Sequence, residues 1–182
     1  NYFQIYSGHI NATGADITAG LVWVNNNHSY GSEGTVSFTL NKTTFTSNGE
    51  VKMYPGADKR IPVTVSNDSH FAAKGAMELD NSVDVTVDAT SSITYNNGQA
   101  FKLPVATIEG LKYTSLQDAV NAVKNGETIV LVDVVEENVT VVQAPDMAFT
   151  IDGNGNTMKG TITVNGKSAA YATAGLTIKN VN

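Results

Sequence analysis

The sequence predicts a mainly β protein in two units. The first is a β-sandwich, Ig-like or jelly-roll-like, over residues 1–103; the second, over 104–182, is a helix followed by short recurring strands. Three observations carry this reading. Apolar and polar residues alternate through much of the first half, which gives strands with one buried and one wet face. Turn-forming clusters separate those runs, and no helical period is sustained among them. From Pro104 onward, one amphipathic stretch of helical period precedes several short apolar segments.

In the first unit, Val36, Phe38 and Leu40 alternate with Ser37 and Thr39; Ile61, Val63 and Val65 with Pro62 and Thr64; Val83, Val85 and Val87 with Asp84, Thr86 and Asp88. One-sided strands of this kind suit an antiparallel sandwich. Seven strands are expected, over 2–6, 17–24, 34–40, 50–54, 60–66, 70–79 and 82–88, with an eighth near 92–95. Asn48-Gly49, Pro55-Gly56, Asn67-Asp68-Ser69 and Asn96-Asn97-Gly98 mark turns. In the second unit, Thr107–Tyr113 reads as a hairpin about Glu109-Gly110. Thr114 or Ser115 caps a helix within 115–124, where Leu116, Ala119, Val120 and Val123 share one face. Asn125-Gly126 ends it. Strands follow at 128–132, 138–142, 148–151, 160–164 and 176–178, with the turn Asp152-Gly-Asn-Gly-Asn156 between two of them.

Composition bounds the function. Of 182 residues, 41% are hydrophobic, enough for a core, and only 15% are charged; 19 Asn and 21 Thr supply the polar surface. Net charge is −6 and Arg60 is the only arginine, so phosphate-led nucleic acid binding is not expected. Without cysteine there is no disulfide framework, thiolate metal site or cysteine nucleophile. No run approaches the ~20 apolar residues that span a bilayer, so membrane insertion is not expected. Asn1–Ile10 lacks the basic start and apolar run of a signal peptide. The strand-like end, Ala174–Asn182, suggests a fragment of a longer chain or an edge that pairs with another.

Two segments of the first unit carry a resemblance. Gly14-Ala-Asp-Ile-Thr-Ala-Gly-Leu-Val-Trp-Val24 resembles the early strand of the TasA/camelysin family, and Tyr54–Ser69 resembles that family's Pro-Gly segment, which also resembles bacterial Ig-like surface domains. The resemblance implies a secreted sandwich and, for the first family, biofilm fibres. In the second unit, Tyr113–Leu131 and Phe149–Thr157 resemble the start of a right-handed parallel β-helix of the pectin-lyase-like type. It implies a helix-capped solenoid start, whose stacked coils would leave an open edge.

Candidate chemistry is sparse. Pectin-lyase-like enzymes use acidic calcium ligands with a basic residue, or paired carboxylates on adjacent coils. Residues 104–182 hold neither arginine nor histidine, and most of their acids (Glu109, Asp118, Glu127, Asp133, Glu136, Glu137, Asp146, Asp152) fall outside coil register. Asp152 reads as a turn former, and Asp133, Glu136 and Glu137 as a solvated acidic loop rather than a calcium site. His9, His28 and His70 lie on separate segments, so no metal or other cofactor is expected. Trp23 and Tyr30 flank Asn25-Asn-Asn-His-Ser29; with Asn25 they are the candidate carbohydrate contacts, aromatics stacking on sugar faces while amides bond hydroxyls. The favoured alternative is that Trp23 is a core residue. Asn-x-Ser/Thr sequons occur at Asn11, Asn27, Asn41, Asn67 and Asn138. The aromatic-rich arm Tyr2, Phe3, Ile5 and Tyr6 is a candidate donor strand.

The expectation is therefore a non-catalytic, extracellular, structural or adhesive module of a bacterial surface protein. Its partners would be further copies, neighbouring domains of a longer chain, or carbohydrate. The alternatives are a carbohydrate-binding or phage fibre module, and an ancillary piece of a polysaccharide-degrading enzyme.

Overall fold

The computed structural model describes residues 2–25, 35–56, 59–142, 144, 146–166 and 175–182. The chain divides into two compact units, Asn1–Phe101 and Lys102–Asn182. Each has its own hydrophobic core.

The first unit is built of β1 (Tyr2–Ile5), β2 (Gly8–Thr13), β3 (Asp16–Ala19), β4 (Leu21–Asn25), β5 (Val36–Asn41), β6 (Thr44–Ser47), β7 (Val51–Tyr54), β8 (Ile61–Ser66), β9 (His70–Ala73), β10 (Met77–Leu79), β11 (Val83–Val87), β12 (Ser92–Tyr95) and β13 (Gln99–Ala100). Every third strand joins the same sheet. The first sheet runs β1-β4-β7-β10, the second β2-β5-β8-β11, and the third β3-β6-β9-β12 with β13 outermost. All pairs are parallel except β12 with β13, which closes a hairpin over Asn96 and Asn97, both at positive φ. This is a parallel β-solenoid in which three strands make one coil.

The expected β-sandwich, and with it the TasA/camelysin-like and Ig-like assignment, is therefore corrected. A sandwich pairs its strands antiparallel, whereas here Phe38 lies between Ile10 and Val63, one coil to either side, in parallel register. Alternation reports only that one face is buried. Parallel sheets are usually covered on both faces, but a solenoid wall buries its inner face and wets its outer one, so it carries the same signature. Two expected strands were each two strands joined at a corner. Residues 17–24 turn at Gly20 and 70–79 turn at Gly75, where the chain passes from the third sheet to the first.

Inward side chains form columns. Phe38, Phe45 and Phe71 are fully buried, with ring centroids 5.1–5.5 Å apart. Outward side chains also align, for example Asn11, Thr39, Thr64 and Thr86 across the second sheet. Corners are held by hydroxyls one coil ahead. The Ala15 amide donates to Thr43 Oγ1 (3.4 Å), the Thr43 amide to Ser69 Oγ (3.1 Å), and the Ser69 amide to Ser91 Oγ (3.1 Å). Asp88 closes the same corner. It accepts from the Asn67 amide first, then from Ser91 and Thr90, and these bonds lower its pKa to about 2. At the next corner the backbones approach closely: a Cβ on Gly49 would sit 2.6 Å from the Gly20 carbonyl oxygen, so only glycine fits.

The second unit contains β14 (Ala106–Ile108), β15 (Leu111–Tyr113), α1 (Leu116–Ala122), β16 (Thr128–Leu131), β17 (Val139–Val142), β18 (Ala148–Asp152), β19 (Ile162–Asn165) and β20 (Gly175–Lys179). One sheet runs β15-β14-β16-β18-β20, its β16, β18 and β20 mutually parallel; β17 and β19 form a second parallel pair. The β14–β15 hairpin lies antiparallel on β16. Ser115 caps α1 by accepting from the Asp118 amide at 3.2 Å. Leu116, Ala119 and Val120 are buried in the core that β16–β18 line. This is a solenoid start with a helix against its core.

Candidate functional site

The outer face of the first sheet gathers Tyr2, Trp23, Glu50, Lys52, Tyr54 and Glu78. Its geometry follows from one corner. β4 starts directly after Gly20, so alternation sends Val22 and Val24 inward and Trp23 outward, 39% exposed. Parallel register then sets Trp23 between Gln4 of β1 and Lys52 of β7, and sets Lys52 beside Glu78 of β10. In flanking rows Tyr2 stands beside Leu21, and Asn25 beside Tyr54.

The polar groups of this face are tied together. Lys52 Nζ lies 3.1 Å from Glu50 Oε2 and 3.8 Å from Glu78 Oε1. Its pKa is raised, chiefly by the hydrogen bond to Glu50. The Tyr54 hydroxyl donates to the Glu78 carboxylate, which raises the tyrosine's pKa. A shallow groove of about 230 Å³ runs along the face, lined by Leu21, Val22, Trp23, Glu50, Lys52 and Tyr54. The arrangement presents an indole, an aliphatic side chain and a fixed phenol, with a cation and two carboxylates within the same few ångströms. Such a surface can stack against a flat, partly apolar ligand and exchange hydrogen bonds in both directions.

Of the candidate carbohydrate contacts, Trp23 and Asn25 share this outward face, and Trp23 is not the core residue that the favoured alternative made it. Tyr30 lies outside the described residues. The candidate donor strand is not a free arm. Tyr2–Ile5 is β1, paired to β4 in its own sheet, with Phe3 and Ile5 packed on the core and Tyr2 and Tyr6 exposed.

Lys52, Tyr54, Glu50 and Glu78 were not singled out from the sequence, yet a signal was there. Trp23, Lys52 and Glu78 each stand three residues after a corner glycine: Gly20, Gly49 and Gly75. Reading those glycines as equivalent corners places the three side chains in one row.

Several of the remaining candidates make local hydrogen bonds or ion pairs. His9 Nδ1 lies 2.7 Å from Ser37 Oγ, and His70 Nδ1 2.9 Å from Ser92 Oγ; His28 is outside the described residues. Glu136 pairs with Lys159 at 2.5 Å, which lowers its pKa. Glu137 is not simply solvated, for its carboxylate accepts from the Leu116 amide and Ser115 hydroxyl at the start of α1. Asp152 accepts from the Asn154 amide at 2.9 Å, as a turn former does, and meets Lys179 at 3.1 Å. No group of His, Cys, Asp and Glu among the described residues could hold a metal ion. Among the described residues no helix is long and apolar enough to cross a membrane.

No protein-family model, curated protein or solved structure matches the chain.

Proposed function

We propose that the chain is a non-catalytic structural or adhesive module of an extracellular bacterial surface protein, a β-solenoid that associates through its coil edges. The observation that carries the reading is the first coil. Among the described residues, β1, β2 and β3 each stand at the edge of their sheet, so three strands there present one side of their backbone without a strand partner. Beneath them Phe3, Ile10 and Ile17 are only partly buried, while the residues in register one coil on, Val22, Phe38 and Phe45, are fully buried. A further coil, from a second copy or from a neighbouring part of a longer chain, would complete both the hydrogen bonds and the core by the same parallel pairing that stacks the coils within the chain. The pectin-lyase-like resemblance and right-handed winding belong to this reading, as does the surface, fibre-forming role.

The test is light scattering across a concentration series. The expected outcome is a mass that rises with concentration. It should return to the monomer mass in a Gln4→Lys/Asn11→Lys variant, which places charges on the exposed faces of two edge strands. A monomer at all concentrations would overturn association through the edge. Oligomers that ignore both lysines would move the contact elsewhere and overturn it too.

A further inference from the structure

We infer that the groove on the outer face of the first sheet, centred on Trp23, is a binding site for a neutral polysaccharide. This names a ligand for the adhesive side of the proposal above and rests on that reading; edge association does not depend on it.

Three features select the ligand. First, Trp23 offers an exposed indole on a rigid sheet, with Leu21 and Tyr54 beside it. The indole ring lies where a pyranose can lay its C–H face. The Tyr54 hydroxyl is held by Glu78, so its ring is positioned before any ligand arrives, which reduces the ordering cost of binding. Second, the polar groups around the indole both donate and accept. Lys52 donates; Glu50 and Glu78 accept; Gln4 and Asn25 do both. Sugar hydroxyls need that mixture, because each is a donor and an acceptor at once. Third, the charge balance argues against acidic ligands. Lys52 lies between two carboxylates, 3.1 and 3.8 Å away, and the whole chain carries −6. A uronate, sialic acid or nucleic acid phosphate would meet net negative potential.

Length and topology fit a chain-like glycan rather than a peptide. Strands are about 4.8 Å apart, so the row Gln4, Trp23, Lys52, Glu78 crosses about 14 Å, the reach of a short oligosaccharide. The face belongs to the middle of a sheet as well as its edge, and backbone groups within β4 and β7 are already paired on both sides. An extended peptide would find no open ladder over Trp23.

Trp23 is the only tryptophan, so its fluorescence reports on this site alone. The experiment titrates the whole chain with β-1,4-linked hexaoses of glucose, mannose and xylose, and with hexagalacturonate as the acidic probe. The expected result is a saturable emission change with at least one neutral hexaose and none with hexagalacturonate. Trp23→Ala removes the reporter, so its affinity is read by calorimetry, with a loss of about tenfold or more for a stacked ring. Trp23→Phe should retain part of that affinity, and Lys52→Met should weaken binding while keeping the emission signal. Because these side chains are solvent-facing, unchanged circular dichroism is expected in each variant. No emission change with any neutral hexaose at millimolar concentration would overturn the inference, as would tighter binding of hexagalacturonate. Either failure leaves the light-scattering outcome untouched, so the two readings fall separately.

Discussion

The Ser69 side chain is fully buried, and its hydroxyl is used twice. It accepts from the Thr43 amide at 3.1 Å and donates to the Ser66 carbonyl at 2.5 Å. Ser69→Ala leaves a buried amide without a partner, a loss of about 1–3 kcal/mol. The urea midpoint of the first unit, followed by Trp23 emission, should fall with an unchanged slope, and a midpoint equal to that of the parent would show that the ladder contributes nothing. This residue also shows what the sequence made legible. Asn41-Lys-Thr-Thr-Phe45 and Asn67-Asp-Ser-His-Phe71 are one corner repeated in successive coils: a left-handed residue, a buried hydroxyl, then a core phenylalanine. Read singly, each is a sequon. Read together they give the coil length, which is the information that separates a solenoid from a sandwich. The repeat is hard to see because only side chains that point inward or hold a corner are constrained. The outward positions between them are free to vary.

At the scale of the element, sequence and structure agree best in the second unit, where the helix, the hairpin and five strands lie near their expected positions. Local signals suffice there: Ser115 caps, Gly110 turns, and the apolar face of α1 repeats at helical spacing. What spacing alone did not reveal is the task of Gln117. Its amide donates to the Thr140 carbonyl at 3.0 Å and accepts from the Thr140 amide at 2.7 Å. One side chain thus supplies the donor and acceptor that a neighbouring strand would bring to β17, whose one strand partner among the described residues is β19. Gln117→Ala exposes that edge. Hydrogen exchange at the Thr140 amide should quicken by about fivefold, in keeping with ~1 kcal/mol for bonds lost at a partly exposed site. An unchanged rate would mean that α1 shields the edge without the amide.

Over the whole molecule, the decisive fact is that there are two cores, one in each unit. Separate cores unfold separately unless an interface couples them. Trp23 belongs to the first unit, whereas circular dichroism sums strands from both. In urea the two signals should therefore trace transitions that do not coincide, and full coincidence would show that the units melt as one. The same scale explains the fate of the sandwich expectation. Alternation, turn residues and one-sided burial are all local properties, and both architectures satisfy them. Only the partner of each strand distinguishes the two, and that partner lies one coil away: 28 residues from His9 to Ser37, 22 from His70 to Ser92.

The column Asn11, Thr39, Thr64, Thr86 shows how such a wall meets water. Repulsion between charged surfaces fades beyond about 8 Å at physiological ionic strength. Hydroxyls and amides hold their hydration by direct hydrogen bonds, which ions do not screen. A surface clad in threonine and asparagine is wetted in brine much as it is in dilute buffer.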